Sequence, residues 1–166
     1  MRWTFLTVRT VKTASTLPQK IGTEETKMDI DLSAMVTQYS LAKHGDMYLA
    51  PNFKVKEFAC KDGSDPIFIN VLIPLVCQIV RNQTGKGFTP NSAYRTVTHN
   101  KASKGAAKSN HIYGNAVDIP AVGWTVQSLY NFLDKLVGDT CELGIYKTSG
   151  FVHLGIQNTK VRFVGD

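Results

Sequence analysis

The chain has 166 residues, of which 43% are hydrophobic and 19% are charged, and its formal net charge is +6. A chain this apolar buries enough surface to offset the entropy lost on ordering, which excludes a protein that is disordered throughout. Its length corresponds to one domain, and since no apolar run reaches the roughly 18 residues of a membrane-spanning helix, we expect no membrane span.

Residues 1–27 are predicted to form a poorly ordered basic extension, and residues 28–166 a single domain. The extension carries five basic and two acidic side chains, which is half of the net charge. Its short apolar patch, residues 3–8, lacks the length and the cleavage site of a secretory signal. We therefore expect synthesis in the cytoplasm, without a convincing signal peptide.

The first half of the chain is predicted to contain two helices, over residues 33–44 and 68–83. Ser33 is a candidate N-cap of the first helix. The second has apolar residues at three- and four-residue spacing, which is typical of a buried helix, and Pro74 within it predicts a kink or a later start. Residues 51–65 between the two helices are rich in loop-forming residues.

The second half is predicted to be mostly strands around one clear amphipathic helix over residues 125–136. A polar loop is expected over residues 97–114. The predicted strands cover residues 87–96, 115–120, 142–147, 150–156 and 160–164. Strands that follow helices at hairpin-like spacing indicate an α+β fold, with a small antiparallel sheet and helices packed on one side.

The three cysteines, Cys60, Cys77 and Cys141, are odd in number and widely spaced. They form no CxxC pair, so a disulfide framework is not expected, and a reduced compartment of synthesis fits better. The sequence alone does not exclude a single disulfide bond.

One motif contains residues that are suited to binding a metal. It has the pattern S-x-H-x-x-G-x-A-x-D and extends from Ser109 to Asp118. In the strand that ends it, Ala116 and Asp118 point to the same face. Gly114 permits a turn that brings His111 back over that face. An imidazole nitrogen and a carboxylate oxygen that converge in this way are suited to Zn²⁺.

His153, on a late strand, supplies a third ligand. It lies on the face opposite Val152 and Leu154, and Gly155 on its own face is expected to leave open space beside a metal. Two histidines and one aspartate leave a fourth position for water, as catalytic zinc sites require. A lone histidine is more often a surface or hydrogen-bonded residue, but the combined pattern favours a zinc site at the sheet and its adjoining loops.

These motifs resemble those of the zinc D-alanyl-D-alanine metallopeptidases, which include VanY-type carboxypeptidases, murein endopeptidases and several phage endolysins. The resemblance covers about residues 52–164, in the order and spacing of the short single-domain branch. Besides the motif above, it includes N-S-A-Y-R-T at residues 91–96 and G-F-V-H at residues 150–153. It implies cleavage of peptide bonds involving D-amino acids in peptidoglycan.

The resemblance also implies roles for individual residues. The implied zinc ligands are His111, Asp118 and His153. Arg95 matches the arginine that anchors the substrate and faces the developing oxyanion, and a fixed guanidinium is suited to both tasks. Ser92 and Ser109 are candidates for binding substrate or supporting the ligands, and both are equally interpretable as turn residues.

The general base is the part of the pattern that this sequence lacks. The family usually places an acid or a histidine close to the last zinc ligand, whereas residues 147–152 contain neither. Glu142 and His99 are candidates for the general base, but weaker ones than an acid or a histidine next to the last zinc ligand. Each is also interpretable as a residue without a catalytic role. The missing group leaves a second interpretation open, in which the chain is a cell-wall-binding or virion structural module of the same fold with weak or no activity.

The net charge also allows a nucleic-acid partner, but basic residues interleave poorly with aromatic ones and no groove-reading motif is present. A weakly basic domain suits an anionic cell wall instead. We therefore expect a peptidoglycan peptide as the partner. The enzyme would reach the wall after release from the cytoplasm, or be carried in a phage particle.

Overall fold

The computed structural model describes residues 30–165, and the predicted extension over residues 1–27 lies outside them. The helices are α1 (Leu41–His44), α2 (Leu72–Thr84), α3 (Val97–Ala102) and α4 (Val126–Val137). The strands are β1 (Val36–Tyr39), β2 (Tyr48–Ala50), β3 (Phe53–Lys54), β4 (Ile67–Asn70), β5 (Ala116–Pro120), β6 (Glu142–Tyr146), β7 (Phe151–Gly155) and β8 (Val161–Gly165). The predicted α+β class is confirmed.

The largest sheet within the described residues has four strands in the order β5-β7-β6-β8. β7 is antiparallel to both of its neighbours, and β8 is parallel to β6, so the sheet is mixed at one edge. Two small antiparallel pairs, β1 with β4 and β2 with β3, lie outside this sheet. One row of register partners crosses all four strands of the large sheet, and its members are Asp118, His153, Gly144 and Phe163.

The two faces of the large sheet have different roles, because side chains alternate along each strand. Val152 and Leu154 of β7 are fully buried, and helix α4, with Leu129 and Leu133, packs against β6 and β7. His153 points to the opposite face. Helix α4 begins after the N-cap Thr125, close to the predicted start.

Three features outside the large sheet complete the fold. Helix α2 packs against β5, β2 and β3. All three cysteines are buried and none forms a disulfide. Within residues 30–165, no helix has the length and apolar character needed to cross a membrane.

The prediction of one helix over residues 33–44 is wrong. The segment contains a short 3-10 turn (Leu32–Ala34), strand β1 and the short helix α1. Its β-branched and aromatic residues favour a strand, and pairing with β4 stabilises that strand. The helix predicted over residues 68–83 begins later, at α2, and Pro74 lies in its first turn, where backbone N–H groups lack helical partners anyway.

The prediction of a strand over residues 87–96 is also wrong. Within it, Ser92 makes one isolated antiparallel bridge to Asp118, and Pro90 has no N–H to extend the pairing. The loop predicted over residues 97–114 contains helix α3, which Thr96 caps by accepting a hydrogen bond from the His99 amide at 3.1 Å. The four later strands are confirmed to within one residue at each end.

Candidate metal centre

A glycine turn delivers the first of the three predicted metal ligands to the polar face of the sheet. Gly114 has a φ of +71° and its N–H donates to the His111 carbonyl at 3.2 Å, which closes the turn. A Cβ at this position would lie 2.5 Å from the carbonyl oxygen of Phe68. Both the positive φ and this close approach require glycine, so the turn forms where the motif predicts it.

The three predicted ligands converge on one carboxylate oxygen. Asp118 Oδ1 lies 2.9 Å from His153 Nδ1 and 3.3 Å from His111 Nε2. All three residues are buried, and one potential ligand atom of each lies within 4.8 Å of the other two. Two imidazole nitrogens and a carboxylate are a donor set that fits Zn²⁺.

Each histidine has one ring nitrogen that faces Asp118 and another that faces a different partner. His111 Nδ1 lies 2.6 Å from the Ala93 carbonyl, which can only accept, so Nδ1 donates to it and Nε2 faces Asp118. His153 Nε2 lies 3.9 Å from Glu142 Oε2, so a hydrogen on Nε2 faces a carboxylate. Metal-binding histidines typically have such outer partners, which orient the ring and fix its tautomer.

The centre has strongly coupled charges. Burial opposes ionisation of Asp118, but hydrogen bonds from His111 and His153 outweigh it and lower the pKa of the carboxyl. Burial also opposes the charge on His153, yet contacts with Asp118 and Glu142 raise the pKa of His153 to about 9. A cation that binds here must therefore displace a proton from His153.

Arg95 holds the other oxygen of the same carboxylate. Its Nη2 lies 2.7 Å from Asp118 Oδ2, and its Nε donates to Ser92 Oγ at 2.6 Å. Ser92 in turn accepts from the Asp118 amide at 2.8 Å through its carbonyl. The guanidinium is therefore fixed beside the centre, while 16% of the Arg95 side chain stays exposed.

Glu142 reaches the centre from β6 because its neighbour on β7 has no side chain. A Cβ on Gly155 would lie 2.8 Å from Glu142 Oε2 and 2.7 Å from Asn110 Nδ2. The expectation of open space beside Gly155 is therefore wrong, because two polar side chains fill that space. Asn110 Nδ2 donates to Glu142 Oε2 at 2.6 Å. The imidazole of His153, whose Nε2 lies 3.9 Å from Oε2, is the main cause that lowers the pKa of Glu142, which keeps this carboxylate ionised.

An aromatic ring borders the centre on the side of His153 that is away from Asp118. Phe163 of β8 lies over Gly144, where any Cβ would collide with the ring. Its ring centroid is 6.0 Å from that of His153. The polar cluster therefore has an apolar neighbour on the same face of the sheet.

Two predicted site residues lie elsewhere. Ser109 Oγ accepts from the His111 amide at 3.3 Å, so this serine supports the turn before the ligand. His99 is not among the three ligands but belongs to a separate group with Cys60 and Asp62. The proposed roles of Ser109 in substrate binding and of His99 as a base stay predictions.

A cleft of about 410 Å³ lies beside residues that support the centre, although none of the three predicted ligands lines it. Ser92 and Ala93 line it, and these two residues also hold Arg95 and His111. Lys56, Glu57 and Lys61 give its wall charges of both signs. The volume is in the range of cavities that hold a small ligand or part of a peptide.

Sequence reasoning missed two contributors to the centre. Ala93 acts through its backbone carbonyl, which has no signature in a sequence. Asn110 precedes His111 in the motif, and only this position beside a ligand could have drawn attention to its amide.

Comparison with known proteins gives one clear result. The family model described as Peptidase M15 matches residues 51–155, which is more than half of the chain and includes all three predicted ligands. No curated protein matches the chain at a significant level. The chain therefore belongs to the Peptidase M15 family of metallopeptidases.

Proposed function

We propose that this protein is a zinc peptidase that hydrolyses peptide bonds involving D-amino acids in peptidoglycan stem peptides or cross-links. The single observation that carries the proposal is the convergence of His111 Nε2 and His153 Nδ1 on Asp118 Oδ1, at 3.3 and 2.9 Å. The resemblance of the motifs to zinc D-alanyl-D-alanine metallopeptidases supports the substrate class. Because several phage endolysins share these motifs, we extend the proposal to a phage or prophage lysis enzyme.

His111, Asp118 and His153 would hold the zinc ion. When bound there, Zn²⁺ supplies Lewis acidity toward a carbonyl oxygen and lowers the pKa of water. The chain contributes the orientation of its ligands: the Ala93 carbonyl fixes the ring of His111, and Glu142 faces the far nitrogen of His153. Rings held in this way lose little freedom when they bind the metal.

Arg95 is proposed to bind the substrate and to stabilise negative charge on the carbonyl oxygen of the scissile bond. Its contacts with Asp118 and Ser92 use Nε and Nη2 and fix the plane of the guanidinium. A donor that is already oriented does not have to reorganise as charge develops, which makes its stabilisation of the transition state effective. The same group can grip a terminal carboxylate of a stem peptide.

Glu142 is the proposed general base. Its carboxylate is ionised, as a base must be, and it lies on the same face as the three ligands, 3.9 Å from His153 Nε2. It would take the proton that leaves water as the peptide bond is attacked. His99 is a weaker candidate for this role because its side chain belongs to a different group.

Digestion of purified cell walls tests the proposed activity. We expect the wild type to release amines from peptidoglycan in a reaction that a chelator abolishes, and His153→Ala to release none. If the wild type releases no amines with zinc present, the proposal is wrong.

Replacement of Glu142 by glutamine tests the proposed base. We expect Glu142→Gln to retain zinc while its rate falls by about 10²–10⁴-fold. If the variant instead loses about 10–100-fold in zinc affinity and keeps its rate at saturating zinc, Glu142 only orients His153.

A second candidate function is a wall-binding or virion structural module that does not hydrolyse its ligand. It is favoured by the absence of an acid or a histidine from residues 147–152, next to the last ligand. In that case wild type and His153→Ala would bind purified walls equally and neither would cut them. A difference in amine release between the two proteins excludes this candidate.

A further inference from the structure

A second group of metal-ligating side chains lies outside the centre described above. Cys60, Asp62 and His99 each offer a ligand atom, and these atoms lie within 4.8 Å of one another. Cys60 is 4% exposed, His99 is half-buried and Asp62 is at the surface. The proposed peptidase mechanism assigns no necessary task to this group.

The backbone brings two of these side chains to the same place. The Gly63 amide donates to the Cys60 carbonyl at 3.1 Å, which closes a tight turn containing Asp62. The Asp62 carboxylate accepts from the Ser64 amide at 2.9 Å. The turn therefore presents the thiol and the carboxylate as an oriented pair.

Thr96 connects this pair to His99. Its amide donates to Cys60 Sγ at 3.4 Å, and its hydroxyl donates to Asp62 Oδ2 at 2.6 Å. The same hydroxyl oxygen accepts from the His99 amide at 3.1 Å. One residue therefore ties all three donors together, and its bond to Asp62 is the main cause that lowers the pKa of that carboxyl.

We propose that Cys60, Asp62 and His99 form a second metal site, which binds Zn²⁺ or a similar transition-metal ion through sulfur, oxygen and nitrogen. Thiolate and imidazole are ligands that zinc and cobalt favour, and a carboxylate completes a common three-residue set. Water would fill the fourth position, because the Asp62 side is exposed.

The location of the site indicates a structural task. Thr96 directly follows Arg95, whose amide donates to the His111 carbonyl at 3.1 Å. Cys60 also lines the cleft beside the first centre. A metal bound at Cys60, Asp62 and His99 would hold the wall of this cleft and the segment that carries Arg95, without contact with the reacting groups.

Cobalt substitution distinguishes the two sites because only the second contains a thiolate. We expect the wild type to bind about two Co²⁺ ions per chain and to show the near-ultraviolet charge-transfer band of a sulfur–cobalt bond. Cys60→Ser and His99→Ala should each bind about one ion, and Cys60→Ser should lose the band. His153→Ala should keep the band and lose the ion of the first centre. Loss of metal from the first centre is therefore distinguished from loss of metal from the second site.

Cys77→Ala is the matched control, because Cys77 is a buried thiol in α2 and lies outside both groups. It should bind both ions and keep the band. Circular dichroism reports whether each variant folds, and if Cys60→Ser does not fold, the loss of one ion in His99→Ala carries the test. A wild type that binds a single ion and shows no sulfur–cobalt band overturns the proposal.

Discussion

Asp118 and His153 are register partners on β5 and β7, and their side chains meet at 2.9 Å on the polar face of the sheet. On the other face, Val117 and Leu154 are paired in the same ladder and are fully buried. A slip of one residue in either strand would move its ligand into the core and its apolar residue out of it. The hydrophobic core therefore fixes the geometry of the metal centre through the register of these strands.

Neutralising Asp118 should abolish zinc binding. Asp118→Asn keeps the shape of the side chain, but it removes the charge that faces both histidines and Arg95. We expect no measurable zinc binding at this centre by isothermal titration calorimetry, and no peptidase activity. Asp134→Asn is the matched control, since Asp134 pairs with Arg162 at 2.6 Å and makes no contact with the ligands. Undiminished zinc binding at this centre by Asp118→Asn, measured together with Cys60→Ser so that the second proposed site is removed, would contradict the assignment.

Arg95 should be needed for catalysis more than for metal binding. Its replacement by lysine keeps a positive charge but cannot hold Asp118 and Ser92 at once as the planar guanidinium does. We expect Arg95→Lys to retain zinc and to lose about 10²–10³-fold in kcat on a peptidoglycan peptide. Arg81→Lys, on α2, provides the control and should have wild-type kinetics. A fully active Arg95→Lys would exclude the proposed role.

Local sequence signals predicted the parts of the fold that depend on near neighbours. The helix over residues 125–136 has an apolar stripe and a good cap, and the strands of the large sheet are short segments rich in apolar residues and bounded by turn-forming residues. Residues 33–44 depend instead on pairing with β4, far along the chain, and helical spacing there was misleading. Tertiary contacts decide such short segments.

In the candidate site, too, some contacts follow from the local sequence and others depend on tertiary structure. His111 and Asp118 belong to one short motif, so their proximity could be predicted from the turn at Gly114. The approach of Glu142 to His153 depends on the pairing of Glu142 with Gly155 across β6 and β7. Because that register is a property of the sheet, the sequence identified Glu142 only as a nearby carboxylate.

The zinc affinity of the centre formed by His111, Asp118 and His153 should increase with pH, and it is measured in Cys60→Ser, which lacks the second proposed site. Despite its burial, contacts with Asp118 and Glu142 raise the pKa of His153 to about 9, so a proton occupies the ring at neutral pH and competes with the metal. From about pH 6 to about pH 8 we expect affinity to rise about tenfold per pH unit, because one proton is released per ion bound. Competition titrations with a chelator of known proton affinity would measure this slope. An affinity independent of pH would contradict a protonated His153.

Gly114 should be essential for both stability and metal binding, because of its positive φ and its close contact with Phe68. A matched substitution at Gly150 separates these two causes. Both have positive φ, +71° and +77°, but a Cβ on Gly150 meets nothing within 4 Å whereas one on Gly114 meets the Phe68 carbonyl at 2.5 Å. Gly150→Ala should lower the free energy of unfolding by about 1–2 kcal/mol, the cost of the left-handed backbone alone. Gly114→Ala should lower it by at least about 1 kcal/mol more, because backbone atoms must move apart.

The same pair of variants tests how the turn positions its ligand. Displacement of the Gly114 turn moves His111, so zinc affinity should fall in Gly114→Ala and stay unchanged in Gly150→Ala. Urea denaturation of the metal-free proteins gives the two unfolding free energies, and calorimetry on the folded proteins gives the affinities. Equal losses of stability in the two variants, with zinc affinity unchanged in both, would mean that contact with Phe68 does not constrain the ligand loop.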